Sequence, residues 1–230
     1  MTPADTFLDD SESAADKMIV FLGPSLDLKT AQQILPFAKF RPPASRGDIE
    51  KAVSDGAKSI CLIDGVFFEQ CSVGHREILT ALKKGVFVAG ASSMGALRAS
   101  EMSSFGMIGI GQVYALYKDG ILESDDEVAI ICDPFSNAPL SEALVNIRET
   151  LKKAVSESLL TQEQSDSFLQ MTLGVYYPER TYDGLIDKAK KDNIVALPSL
   201  LKFEEWILAG NAADIKKEDA VAVLKFMSQK

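Results

Sequence analysis

The chain is 230 residues long with a formal net charge of −9, and its hydrophobic fraction of 47% and charged fraction of 25% are those of an ordinary globular protein. This acidity argues against nucleic acid as a partner, because phosphate contacts need a basic surface and no run of lysine or arginine supplies one. The three cysteines (Cys61, Cys71, Cys132) form no C-x-x-C pair and the chain has one histidine, so neither a structural metal nor a cofactor is expected.

Residues 1–17 are acidic and without periodicity, and read as a flexible tail. They show no signal-peptide pattern. No apolar run reaches membrane-spanning length, so the expected home is a reducing cytoplasm with free thiols and no membrane. Met18 to Leu22 (M-I-V-F-L) is an unbroken apolar run, as a parallel strand buried on both faces requires. Gly23-Pro24-Ser25 ends it, and Asp27 is placed to cap a short helix through Leu28, Ala31, Ile34 and Leu35. Phe40 to Gly47 (F-R-P-P-A-S-R-G) reads as a stiff surface loop, able to hold Arg46 over an anion. Asp48 sits where an N-cap belongs, before Ile49, Ala52 and Val53.

Ser59 to Ile63 is the second core strand and ends in Asp64-Gly65, where open parallel sheets place binding residues and where turns also favour Asp-Gly. Val66 to Cys71 reads as a loop, anchored or lid-like through Phe67 and Phe68. A helix starting after Cys71 or Ser72 carries His75 in its first turn, where the dipole favours a neutral imidazole. Gly85 to Leu97 (G-V-F-V-A-G-A-S-S-M-G-A-L) then runs from strand through small residues into a helix. This is the arrangement of many α/β sites: Ser92 and Ser93 stand at the helix start, where they suit anion binding or nucleophilic attack. Arg98 and Glu101 on that helix form an i,i+3 pair.

Phe105 to Gly111 is glycine-rich without being a dinucleotide or phosphate-loop fingerprint. It reads as a loop or a place of close packing, before a helix with Val113, Leu116 and Tyr117. Glu123 to Glu127 (E-S-D-D-E) reads as a solvated linker ahead of a magnesium site at Asp125 and Asp126. Val128 to Ile131 reads as the last strand of the sheet. From Leu140 onward only helical periodicity remains, with Thr161, Pro198 and Asp214 at helix starts. The expected fold is therefore a small open, mostly parallel, three-layer α/β sheet of Rossmann-like type over residues 18–133. A helical region over 134–230 follows, suited to packing or partner recognition.

Seven stretches in order resemble the TfuA-like family: F-L-G-P-S at Phe21, R-P-P-A-S-R-G-D at Arg41, I-D-G at Ile63, H-R-E-I-L at His75, G-A-S-S-M-G-A-L-R-A at Gly90, F-G-M-I-G-I-G at Phe105 and D-D-E-V-A at Asp125. The resemblance implies a partner of YcaO-type enzymes, which use ATP to alter peptide backbone amides and, with TfuA-like proteins, install thioamides. It further implies release of sulfide from the C-terminal thiocarboxylate of a small ubiquitin-like sulfur-carrier protein.

Such a hydrolysis is acyl transfer and needs a nucleophile or activated water, a base and oxyanion donors. Ser92 or Ser93 is the candidate nucleophile, His75 the base and Asp64 the orienting or relaying group. Cys71 is a rival nucleophile; Cys61, inside a strand, is expected to be inert. The helix N–H groups after Ser93 would receive the oxyanion. Ser25, Arg46, Asp48, Gly90 and Arg98 are the candidate substrate- and anion-binding residues. The competing readings are a non-catalytic adaptor of the YcaO enzyme and a nucleotide or sugar-phosphate enzyme seated at Ser93.

Overall fold

The computed structural model describes residues 17–67 and 71–230, so the expected tail (residues 1–16) and part of the expected lid loop (68–70) lie outside the described residues. In chain order the elements are β1 (Met18–Phe21), α1 (Leu28–Ile34), β2 (Lys39–Arg41), α2 (Asp48–Ser54), β3 (Ser59–Leu62), α3 (His75–Lys83), β4 (Phe87–Gly90), α4 (Met94–Met102), β5 (Ile108–Gly109) and α5 (Gln112–Lys118). There follow α6 (Leu144–Ser156), α7 (Gln162–Leu173), α8 (Tyr182–Lys191), α9 (Leu197–Leu208) and α10 (Ile215–Met227). The α/β class and the helical region that follows the sheet are as expected.

The five strands form one sheet in the order β2-β1-β3-β4-β5, every pair parallel. Apolar runs without polar alternation make sense here, because helices cover both faces. On one face Phe21, Ile60, Leu62 and Val88 pack against Ile49 and Ala52 of α2, Ile78 and Ala81 of α3, and Met94 and Ala99 of α4. On the other, Val20, Cys61, Ile63 and Ala89 pack against Ala31 of α1 and against Ala220, Val223, Leu224 and Met227 of α10. The helix farthest along the chain thus completes a layer of the sheet that begins it. Helices α6 to α9 surround a core of their own, built on Ile147, Leu151, Phe168, Leu185, Leu200 and Phe203.

Four local expectations are corrected. Val128 to Ile131 is not a strand: Val128 packs among Leu97, Val113, Tyr117 and Val145, and the Ile131 N–H donates to Ser141 Oγ (3.0 Å) rather than to a sheet neighbour. The fifth strand is Ile108–Gly109, within the glycine-rich run, paired with Ala89 and Gly90. A methyl group at Gly109 would collide with the Tyr114 ring, so glycine there serves packing. Phe40 and Arg41, read as the start of a stiff loop over Phe40 to Gly47, belong instead to edge strand β2. Asp48 is the first residue of α2 and not its cap; Gly47, at φ +90°, holds the cap position while Asp48 Oδ2 accepts the Ser45 N–H (2.8 Å).

Buried carboxylates tie the layers together. Glu77 accepts the Gly74 N–H (2.8 Å) through Oε1 and the Gly47 (3.0 Å) and Ile49 (3.2 Å) N–H groups through Oε2, serving the starts of α3 and α2 at once. The acidic run is likewise anchored. Glu127 makes a bidentate pair with Arg148 (2.9 and 2.8 Å), and Asp126 pairs with the buried Arg180 (2.6 Å). Asp219 of α10 accepts the Gln112 (2.7 Å) and Val113 (2.8 Å) N–H groups at the start of α5.

Burial pushes the Asp219 carboxyl up from its ordinary 3.8 to about 6, against the pull of those two N–H groups. The folded chain therefore holds a proton there that the unfolded chain releases. The stability this adds is complete below pH 4 and is lost as pH rises through 6, at most about 3 kcal/mol. Thermal melts from pH 4 to 7 are expected to show a decline in wild type that is absent from Asp219→Asn; parallel profiles would refute the assignment.

Candidate functional site

β1 and β3 are neighbours in the sheet, yet the chain leaves them in opposite directions, toward β2 and toward β4. An open α/β sheet forms a crevice at the carboxyl ends of such a pair. Here the turn after β1 supplies Gly23 to Ser25 and the end of β3 supplies Asp64. The Asp64 carboxylate is buried. Its Oδ2 accepts the Gly23 (2.9 Å) and Ser25 (3.2 Å) N–H groups, and its Oδ1 accepts the Ser25 hydroxyl at 2.6 Å. The short O–H···O⁻ distance marks a charge-assisted bond. Gly23 is required, since a methyl group there would meet the Pro43 ring.

The segment before α6 and the start of α10 close over this pair. They leave a cavity of about 90 Å³ lined by Ser25, Ile130, Ser141, Glu142, Asn146, Asp214 and Lys216, together with Pro24, Pro139 and Ala143. Lys216 is buried, and its Nζ donates to the Val128 carbonyl at 2.8 Å. Burial pushes the ammonium pKa down, while the charges of Asp64, Asp214 and Glu142 hold it up. Burial and the charge of Asp214 push the Glu142 carboxyl up. Burial, then the charges of Asp64 and Asp133, push the Cys132 thiol up, which keeps it a thiol rather than a thiolate. A larger cleft of about 580 Å³ shares Pro24, Ser25, Pro139 and Asp214 with the cavity and runs past Leu26, Phe40 and Pro42. Residues 136–139 also line it.

The expected site residues do not converge on one place. Ser25 and Asp64 meet in the crevice just described. His75 is the first residue of α3, with its side chain 55% exposed and its Nε2 2.8 Å from Glu101 Oε2. Arg98 also donates to Glu101 Oε2 (2.7 Å) and to the Val73 carbonyl (2.7 Å). Arg98 and Glu101 line a cleft of about 400 Å³ with Phe67, Ser72, Ser124 and Asp125, and that cleft shares no lining residue with the Ser25 crevice. Among the described residues, no hydrogen bond joins His75 to Ser92, Ser93 or Asp64. Cys71 is exposed; its carbonyl accepts the Arg46 N–H (2.7 Å), and Arg46 Nε donates to the Ser72 carbonyl (3.4 Å).

Ser92 and Ser93 are both buried. Ser92 takes a left-handed backbone at φ +69°, and its hydroxyl has no hydrogen-bond partner among the described residues. Three N–H groups of the first turn of α4 are already committed: Gly95 donates to the Ile63 carbonyl (3.1 Å), and Ala96 (2.9 Å) and Leu97 (3.2 Å) donate to the Ser93 carbonyl. This leaves little of a helix-start anion seat. Gly90 and Gly95 let α4 lie against the sheet, for a methyl on Gly95 would run into the Leu62 carbonyl.

Sequence reasoning missed Lys216, Glu142 and the site role of α10. One signal was present: Lys216 stands in phase with Ala220, Val223 and Met227, on the buried stripe of an amphipathic helix. Among the described residues no cluster of His, Cys, Asp and Glu is gathered as a metal site, and no helix is long and apolar enough to cross a membrane.

A family model described as TfuA-like protein matches residues 64–181, just over half of the chain, and the chain belongs to that family. No curated protein matches it.

Proposed function

We propose that this TfuA-like chain supplies sulfur to a YcaO-type enzyme during backbone thioamidation, by releasing sulfide from a thiocarboxylated ubiquitin-like carrier. Family membership motivates the reading, and the observation that supports it best is the Ser25–Asp64 pair at 2.6 Å, set at the end of a cleft of about 580 Å³. A carrier tail entering as an extended peptide brings its terminal thiocarboxylate to Ser25, the residue shared by the cleft and the inner cavity. A carboxylate bonded to a hydroxyl at the site is a proton relay. The Ser25 oxygen takes a proton from the attacking water as its own proton passes to Asp64. Water oxygen then bonds to the carbonyl carbon, and the sulfur takes up a proton that balances the one passed to Asp64. The C–S bond breaks with its electron pair on sulfur, so that hydrosulfide leaves and the carrier tail becomes a carboxylic acid. His75, Ser92, Ser93 and Cys71 line neither this cleft nor the inner cavity.

Incubation with a thiocarboxylated carrier is expected to remove the sulfur mass from the carrier and produce sulfide. Ser25→Ala is expected to slow this about 100-fold. An unchanged carrier, with thioamidation by the YcaO enzyme still stimulated, would make the chain an adaptor and defeat the hydrolase reading.

A further inference from the structure

Among the described residues Lys216 is the one cationic side chain lining the inner cavity, and it comes from α10, beyond the segment that the family model matches. Its position is costly: a buried ammonium loses its hydration, and an apolar residue would complete the helix stripe more cheaply. Of its three donors, one is committed to the Val128 carbonyl, and among the described residues no other side-chain hydrogen bond is made. The neighbouring carboxylates act on it by their charge, and among the described residues none of them hydrogen-bonds it. Asp64 is held by the β1 turn, and Asp214 accepts Asn146 Nδ2 (2.9 Å) and the Lys217 N–H (3.1 Å) at the start of α10. Burial favours the proton on Glu142. A cavity of about 90 Å³ has room for a three-atom anionic head group, given roughly 30 Å³ for each water-sized group.

We propose that Lys216 is a catalytic residue of the Ser25–Asp64 site, its ammonium receiving the carrier's terminal thiocarboxylate and giving the proton with which sulfur departs. The inference rests on the sulfide-release reading. A thiocarboxylate is an anion, so addition of water to its carbonyl carbon builds a second negative charge unless a cation is in place. Water adds its oxygen, and one of its protons reaches Asp64 through Ser25. Lys216 protonates the sulfur. The C–S bond breaks with its electron pair, giving the carboxylic acid and hydrosulfide. The acid's proton returns to Lys216 and the proton on Asp64 leaves with the hydrosulfide, so that thiocarboxylate and water become carboxylate and hydrogen sulfide.

The test uses the full chain and a thiocarboxylated carrier. Lys216→Met is expected to lower kcat for sulfide release by 10²- to 10³-fold with KM changed only a few-fold. Methylamine is expected to restore at least 10-fold to Lys216→Ala, a recovery that a structural lysine would not give. Undiminished turnover in Lys216→Met would overturn this inference alone; a wild-type chain that releases no sulfide would overturn the sulfide-release reading and this inference with it. If both variants fail to fold, the wild-type protein is treated with a tail peptide ending in glycinal and cyanoborohydride. A reduced imine mapped to Lys216 supports the assignment, and modification of surface lysines with Lys216 untouched defeats it.

Discussion

Asp64→Asn is expected to lower sulfide release by 10²- to 10⁴-fold while costing only about 1 kcal/mol of stability. The asymmetry follows from which oxygen does what. Oδ2 accepts two backbone N–H groups of the β1 turn, and an asparagine carbonyl in that position keeps both. Oδ1 accepts the Ser25 hydroxyl, and an amide NH₂ there reverses the bond, so that Ser25 has nothing to which it can pass a proton. Asp64→Ala removes both functions and strands two buried N–H groups, each costing about 1–3 kcal/mol. His75→Ala is the comparison that decides between sites. His75 bonds Glu101 at the start of α3, and its loss is expected to change turnover less than 3-fold. Carrier mass and sulfide assays on folded variants check all three. A dead His75→Ala beside an active Asp64→Asn would move the chemistry to the α3–α4 side.

The second large effect is on stability. Arg180→Ala is expected to cost about 2–4 kcal/mol in urea denaturation, because it empties a fully buried side-chain site and removes several hydrogen bonds together, while Asp126 itself still reaches water. The guanidinium donates to the Val175 carbonyl (2.9 Å), the Asp126 carbonyl (3.2 Å) and Asp126 Oδ2 (2.6 Å). Its backbone carbonyl accepts the Glu142 N–H (2.6 Å). The side chain spans from the α7–α8 connection to the acidic run beyond α5. Loss of this anchor is also expected to uncouple α6 to α9 from the sheet, so that two transitions replace one. A single transition within 0.5 kcal/mol of wild type would contradict it.

Much of the fold was readable because its central strands are apolar throughout and helices α1, α7, α8 and α10 start on a side-chain cap. Met18 to Leu22, Ser59 to Ile63 and Val86 to Ala89 stood out as buried parallel strands. Ile108–Gly109 did not, since two residues carry no period and glycine suggests a loop. Val128 to Ile131 misled for the converse reason: an apolar run is equally suited to a packed, irregular segment. At the site, the strand-end Asp64 was legible from its position, and its partner Ser25 from the motif around it. The acidic run read as solvated because its arginine partners lie 21 and 54 residues further on. Lys216 was hidden by the same kind of separation, since one lysine in a charged stretch looks like surface until the helix phase is set beside the sheet.

The packing of α10 on the sheet has a consequence for synthesis. Val20 and Ile63 are among the early-made residues of the face that α1 and α10 share, so a nascent chain leaves the part under α10 uncovered until that helix has been translated. Contacts between such distant segments form slowly and leave apolar surface open to wrong partners in the meantime. Chaperone dependence should therefore concentrate in that late window. A chain cut short before Ile215 would lack both the α10 cover and the buried Lys216, so under the proposed reading such copies would release no sulfide.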